Sequence, residues 1–344
     1  MGPPIYRKSA HTTGKSRRRM NTAKIVVIDP VILSDNDKRQ LGILGELEIY
    51  DKTPASFNDL AERIKDADII LVGKVPLHRR ALIDAARLKM ICVCHTGHDN
   101  IDLKAATAHN IVVSNVPDYA SKAVAEFVFA LALDLMRKIQ TAHHRTHLGK
   151  FDHHYYLNSQ LLAGKTIGII GAGNIGKRVI QIALGFSMNV ISTTAHPSVE
   201  RERWLGVKFV PLNILLSESD IVTLHLPLTP ETEHIIGAAE LAMMNRTAFL
   251  INTSRGKLVD EEALIESLRN GRIAGAALDV FEREPLPADS PLLKLNNIVL
   301  TPHIAYLTEE TTAECARICI ENIRAFLKGQ PQNVVNPSPR RNTE

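Results

Sequence analysis

Eleven short apolar runs, separated by amphipathic stretches and polar turns, divide this 344-residue chain into two alternating series. In the first, strand-like runs stand at 24–29 (KIVVID), 46–50, 68–72, 90–94 and 111–114. In the second they stand at 166–170 (TIGII), 189–192, 221–224, 248–252, 275–279 and 298–301. Apolar residues recur at helical spacing between them, as at 56–66 and 78–88. A strand that leads through a helix to the next strand returns parallel to it, because a crossover replaces the hairpin. The expected fold class is therefore α/β, with two doubly wound parallel sheets.

A helix expected at 122–139 (KAVAEFVFALALDLMRKI) joins the two series, and its nearly continuous apolar character predicts burial on all sides, between domains or subunits. A helix at 259–270 carries Asp260 and two glutamates at its start and stops at Asn270-Gly271. A last helix is expected at 309–328, before Gly329 and Pro331.

Charge argues against a nucleic-acid partner. The chain carries a formal +4, but residues 1–19 hold six cations and no acid, so the remaining body stands at −2. Residues 1–22 read as a disordered basic tail, or as sequence upstream of a true start at Met20; a transit peptide would show an amphipathic pattern that is missing here. Residues 336–344 read as a second tail. No apolar run approaches the roughly 20 residues that a membrane span needs. Cys92, Cys94, Cys315 and Cys319 lie in apolar segments and read as reduced core thiols. Cys315 and Cys319 are one helical turn apart, but no second pair has zinc-finger spacing, so no metal is expected. A cytoplasmic protein is the expectation.

Gly171-Ala-Gly173-Asn174-Ile175-Gly176 follows the TIGII strand and opens a helix expected to run to Phe186. A strand–GxGxxG–helix unit binds a dinucleotide: one glycine permits the tight turn, one admits the pyrophosphate to the backbone, and one lets helix and strand pack closely. The helix N-terminus then offers amides and a positive dipole end to the phosphates. An acid for the ribose hydroxyls belongs at the end of the next strand, but Thr193, Thr194, Ala195 and His196 stand there, with Glu200 the nearest carboxylate. Thr193, Thr194, His196 and Arg201 would accept a 2′-phosphate that an acid would repel, so the cofactor is read as NAD(P), leaning to NADPH.

Three later strands each end in a chemically able residue: Arg255 in NTSRG, Glu284 in DVFEREP and His303 in TPHI. Ligands of open parallel sheets bind beyond the strand C-termini, so a cation, an acid and a proton carrier fall at one edge of one site.

These motifs, in this order and spacing, resemble the D-isomer-specific 2-hydroxyacid dehydrogenase family over about residues 24–335. The match includes HTGHDNIDLKAA (95–106), NVPDYASKAVAE (115–126), HLPLTPET (225–232) and NTSRGKLVDEEAL (252–264). VGKVPL (72–77) and HIAY (303–306) look most like the glycerate dehydrogenase and hydroxypyruvate (glyoxylate) reductase branch, and Glu284 differs from the glutamine of the related formate dehydrogenases. The resemblance implies a flavodoxin-like substrate domain at 23–118 plus 303–335, and a Rossmann cofactor domain at 119–302, flanking a cleft. It makes Arg255, Glu284 and His303 catalytic. Its cofactor set is Gly171, Gly173, Asn174, Ile175, Gly176, Thr193, Thr194, His225, Pro227, Thr253, Asp279, His303 and Ala305, with Asp279 on the nicotinamide carboxamide. Lys74, Val75 and Gly97 would complete the substrate site through their backbone amides, beside Arg255 and His303.

The implied reaction passes a hydride between NAD(P)H and a small 2-oxo acid, giving the D-2-hydroxy acid. Arg255 would grip the substrate carboxylate and polarise the carbonyl, His303 would give the proton, and Glu284 would orient His303 and favour its charged form. The alternatives are a non-catalytic, dinucleotide-sensing, corepressor-like binder and a dehydrogenase for another hydride donor such as phosphite. The all-apolar helix predicts a homodimer, and His143, His144, His147, His153 and His154 read as solvated or interface histidines beside it.

Overall fold

The computed structural model describes residues 22–154 and 158–337, so the two expected tails lie outside the described residues but for Thr22, Asn336 and Pro337. Five strands form the first sheet: β1 (Lys24–Val27), β2 (Glu46–Ile49), β3 (Ile69–Val72), β4 (Met90–Val93) and β5 (Val112–Ser114). All pairs are parallel, in the order β2-β1-β3-β4-β5. The second sheet comprises β6 (Thr166–Ile170), β7 (Asn189–Thr193), β8 (Lys208–Phe209), β9 (Ile221–Leu224), β10 (Phe249–Asn252), β11 (Gly275–Leu278) and β12 (Ile298–Leu300). It too is parallel throughout, in the order β12-β11-β10-β9-β6-β7-β8. β8 adds to the eleven expected strands; at two residues it is too short to show a period.

Every residue of β3, β4, β9, β10 and β11 is buried, as parallel strands covered on both faces require. One face of the first sheet packs on helices Phe57–Ile64, Arg79–Ile83 and Leu103–Ala108. Its other face receives the last helix, Glu309–Leu327, through Cys315, Cys319, Ile320 and Ile323. All four cysteines are free thiols at this contact.

The helix expected at 122–139 is two helices, Ser121–Arg137 and Ile139–His147. Lys138 between them is left-handed (φ 55°, ψ 42°), and the Asp134 carboxylate caps the restart by accepting from the Gln140 amide at 2.8 Å. The first helix is not buried on all sides: Lys122, Glu126 and Ala130, at four-residue spacing, and Arg137 two turns on form an exposed stripe. The opposite face packs on helix Asn174–Gly185 and the second sheet. No residue of Ile139–His147 is buried.

Both sheets reverse strand order once, between β1 and β3 in the first and between β6 and β9 in the second. Such reversals open a crevice at the strand C-termini.

Candidate active site

β10, β11 and β12 are neighbours, so the segments that leave their C-termini lie side by side and carry Arg255, Asp279 and His303. His303 is a non-glycine residue in the left-handed region, at φ 56°. Such backbone persists only where the surroundings hold it, and here Asp279 does so. The fully buried Asp279 accepts from Thr301 Oγ1 (2.6 Å) and the Ile304 amide (2.9 Å) on Oδ1, and from the Ala305 amide (2.8 Å) on Oδ2. Both its oxygens are therefore engaged by the chain that flanks His303.

The Glu284 carboxylate meets His303 Nδ1 at 2.7 Å and also accepts from the Phe281 amide at 3.2 Å. Burial pushes the Glu284 carboxyl up, but the hydrogen bond and charge of His303, the Phe281 amide and the charge of Lys74 together outweigh it and leave it below the usual range. Glu284 is thus ionised at neutral pH. With Nδ1 taken, proton exchange with a substrate falls to Nε2.

Arg255 reaches across the cleft. Its Nε bonds Asp99 Oδ2 at 2.5 Å, and its Nη1 bonds the Ser254 carbonyl at 2.8 Å. Its Nη2 lies so close to Gly97 that a Cβ there would stand 1.6 Å away. Only glycine lets the guanidinium lie on that backbone.

Behind Gly97, the first sheet's crevice is organised by Asp29 at the end of β1. Its carboxylate accepts from the amides of Gly73 (2.7 Å), Lys74 (2.8 Å) and Val75 (3.1 Å). Burial raises its pKa against the pull of those amides and of His95. The Lys74 and Val75 amides, expected at the substrate, thus donate to Asp29 in this structure.

The glycine loop sits at the second sheet's crevice. Gly171 is left-handed (φ 102°), and a Cβ on it would meet the His225 carbonyl at 2.4 Å; one on Gly176 would meet the Gly171 carbonyl at 2.0 Å. Nothing lies within 4 Å of where a Gly173 Cβ would be, so the loop leaves open space over the helix N-terminus. The first helical bond runs from the Lys177 amide to the Gly173 carbonyl, which leaves the amides of Asn174, Ile175 and Gly176 outside the helical ladder. His225 is buried, which drives its pKa down to about 3 and keeps it neutral. Its Nε2 meets Thr223 Oγ1 at 3.1 Å, whereas its Nδ1 and the buried Thr253 Oγ1 have no protein partner. An open glycine cradle and two orphaned polar atoms at the ends of β9 and β10 fit a polar ligand of dinucleotide length. The nearby Pro227 is exposed, and its carbonyl accepts from Thr232 Oγ1.

Past β7, whose Thr193 carbonyl accepts from the Gly171 amide at 2.9 Å, Arg201 folds back on the loop. Its guanidinium donates to Thr194 Oγ1 (3.3 Å), the His196 carbonyl (2.5 Å) and the Ala172 carbonyl (3.0 Å).

Residues 129–305 match the model of the D-isomer-specific 2-hydroxyacid dehydrogenase NAD-binding domain. The chain belongs to this family. It is 42% identical over 297 residues to the glyoxylate reductase of Korarchaeum cryptofilum, covering 85% of this chain and 90% of that one. It is 37% identical to the hydroxypyruvate reductase of Blautia hydrogenotrophica, over 91% and 99% of the two chains. Among solved structures, an acyclic imino acid reductase in complex with NADPH and D-Arg superposes with a TM-score of 0.84 at 35% identity, over 91% of this chain and 99% of that one.

The dehydrogenase's sequence gave no role to Asp29, Asp99 or His95. An acid just past the first strand, at a crevice, is the available signal for Asp29; Asp99 and His95 carry no signal beyond their motif. The five histidines at 143–154 are exposed, and four of them stand in the pairs His143–His147 and His153–His154 with ring centroids 4.4 and 4.3 Å apart. Among the described residues, no group of three or more histidine, cysteine or acidic side chains is placed to hold a metal, and no helix is long and apolar enough to cross a membrane.

Proposed function

We propose that this dehydrogenase reduces a small 2-oxo acid, of the glyoxylate or hydroxypyruvate kind, to the D-2-hydroxy acid, using NADPH at least as well as NADH. The observation that carries the reading is the Glu284–His303 pair at 2.7 Å beside Arg255, all beyond the C-termini of adjacent parallel strands. The nicotinamide, when bound, supplies the hydride. The chain's own residues do the rest. Arg255 holds the substrate carboxylate and polarises the 2-oxo group. His303 gives its Nε2 proton to the oxygen as alkoxide charge develops, and Glu284 stabilises the imidazolium beforehand. Asp279 acts on His303 through the backbone, by holding the Ile304 and Ala305 amides that follow it.

The glycine-loop amides at Asn174–Gly176 and the orphaned polar atoms of His225 and Thr253 suit a dinucleotide, and we assign Thr193, Pro227 and Ala305 to the same ligand. Arg201, with no carboxylate at the end of β7, supports NADPH. Gly97 and Arg255 together suit the substrate carboxylate, with the 73–75 loop facing them. We assign residues 23–118 plus 303–335 to the substrate domain and 119–302 to the cofactor domain. A homodimer is proposed through the exposed arm, which carries Ile139, Leu148, Phe151 (92% exposed) and Leu161. A cytoplasmic location completes the proposal.

The test is steady-state turnover of glyoxylate, hydroxypyruvate, pyruvate and bulkier 2-oxo acids, each with NADH and NADPH. Glyoxylate or hydroxypyruvate should give the highest kcat/KM. Turnover confined to large side chains, or to a 2-oxo acid with an added amine, would replace the reading.

A further inference from the structure

We infer that His95 is a positioning residue that fixes the floor of the substrate site opposite Arg255, and with it the size of acid accepted. The inference rests on the reductase reading above. His95 leaves the end of β4 at the first sheet's crevice and places one ring nitrogen on each of two backbone segments. Its Nε2 meets the Gly73 carbonyl at 2.7 Å, and its Nδ1 meets the Gly97 carbonyl in a short contact. The ring is rigid and so sets the separation of the two carbonyls; both only accept, so the ring donates to both at once as imidazolium and to one of them when neutral.

Each carbonyl shares a planar peptide with the next amide, Lys74 in one case and His98 in the other. Holding the oxygens therefore fixes the tilt of both peptide planes. The first plane is also held on its amide side, where Lys74 donates to Asp29 at 2.8 Å. Asn100 adds a weaker tie, its Nδ2 donating to the carbonyls of Gly73 (3.2 Å) and Val75 (3.1 Å). The second plane belongs to Gly97, on which the Arg255 guanidinium lies. A shift of Gly97 thus changes the seat of the residue that grips substrate. Among the described residues, His95 is the side chain that bonds both Gly73 and Gly97. It touches neither the glycine loop nor the Glu284–His303 pair in any hydrogen bond, so its influence is confined to the substrate side.

The experiment compares wild type, His95→Ala and His95→Gln in the same NADPH assay, with thermal melting of each. His95→Ala should raise KM for the small 2-oxo acid about tenfold or more while kcat changes less, because misplacement of a binding group acts first on substrate capture. The ratio of kcat/KM between the smallest and the bulkier acids should fall, and KM for NADPH should stay within about twofold. His95→Gln keeps amide N–H donors near the ring position and should recover part of the KM. A merely structural role would lower the melting temperature and the active fraction, hence kcat, and leave KM and the size ratio alone; that result overturns the inference. So does a His95→Ala enzyme with unchanged KM and unchanged size ratio. If wild type reduces no 2-oxo acid, the proposed function falls and the inference with it; if wild type turns over normally, failure in the variants counts against His95 alone.

Discussion

Arg255 and Asp99 meet across the cleft at 2.5 Å, one on the segment after β10 and the other after β4. The guanidinium is bound along its Nε edge by Asp99 and through Nη1 by the Ser254 carbonyl, so its planar fork is oriented before any substrate arrives. An ammonium has neither the plane nor the fork. Arg255→Lys should therefore lower kcat/KM by about 100-fold or more while the protein remains folded. Near-normal kinetics in a folded Arg255→Lys enzyme would remove Arg255 from the chemistry.

Gly176 offers a test of the cofactor cradle that leaves the acid–base pair untouched. A methyl group there would stand 2.0 Å from the Gly171 carbonyl, which is backbone and cannot swing aside. Gly176→Ala should cost about 1–3 kcal/mol of stability by overpacking. It should also weaken NADPH binding, because the loop must open. Chemical denaturation and fluorescence titration with NADPH read the two effects, and a variant equal to wild type in both would show that the loop yields.

Cofactor choice turns on the end of β7. Arg201 reaches Thr194 and the Ala172 carbonyl, and so brings its charge to the rim of the glycine loop. Arg201→Ala should raise KM for NADPH by about tenfold and alter that for NADH little, through loss of a charge-assisted contact to the 2′-phosphate. Thr194→Asp should shift preference toward NADH by repelling that phosphate and accepting from the ribose hydroxyls. A wild-type enzyme that strongly prefers NADH would refute the reading of this strand end.

Much of the fold was legible because its strands are short blocks of buried β-branched residues, and because the glycine loop carries its own backbone logic. Arg255, Glu284 and His303 were legible because each stands beyond a strand end. Partnerships between distant residues were not. Asp29 and Gly73 are 44 residues apart and Asp99 and Arg255 are 156 apart, and no local pattern pairs them. Lys138 breaks the long helix by adopting a backbone conformation that its side chain does not advertise. The exposed stripe on Ser121–Arg137 is marked in the sequence only by the spacing of Lys122, Glu126 and Ala130, and the density of apolar residues around it masks that signal.

The exposed apolar residues of the arm beyond that helix predict association. Phe151 is 92% exposed, Leu161 68% and Leu148 58%, close together in sequence around a helix with no buried residue. Light scattering should give twice the 38.0 kDa chain mass at micromolar concentration. Phe151→Asp together with Leu148→Asp should shift the enzyme toward monomer. A wild-type monomer at that concentration would refute the dimer.

The sharpest test joins His303 to Glu284 at 2.7 Å. Reduction consumes a proton held by His303, and oxidation needs the ring neutral to receive one, so the two directions must respond to pH in opposite senses. Reductive kcat/KM should fall as pH rises through the histidine titration, and oxidative kcat/KM should rise through the same interval. Burial raises the Glu284 carboxyl; His303, the Phe281 amide and Lys74 together lower it further, and the net depression keeps it anionic until the pH falls below the usual carboxylate range. A depressed carboxyl contributes stability that is present above its unfolded pKa and is lost as pH falls through its folded one. The pair is therefore intact throughout the pH range of the assay. Glu284→Gln keeps a similar shape and a hydrogen-bonding group but deletes the charge that favours imidazolium. The reductive limb should move to lower pH in this variant, and oxidation should extend to lower pH with it. His303→Ala should remove the limb and cut turnover by about 100-fold or more, while NADPH still binds, because the glycine loop is untouched. If Glu284→Gln leaves both limbs where they stand in the wild type, Glu284 is not coupled to the proton carrier, and the acid–base assignment must be redrawn.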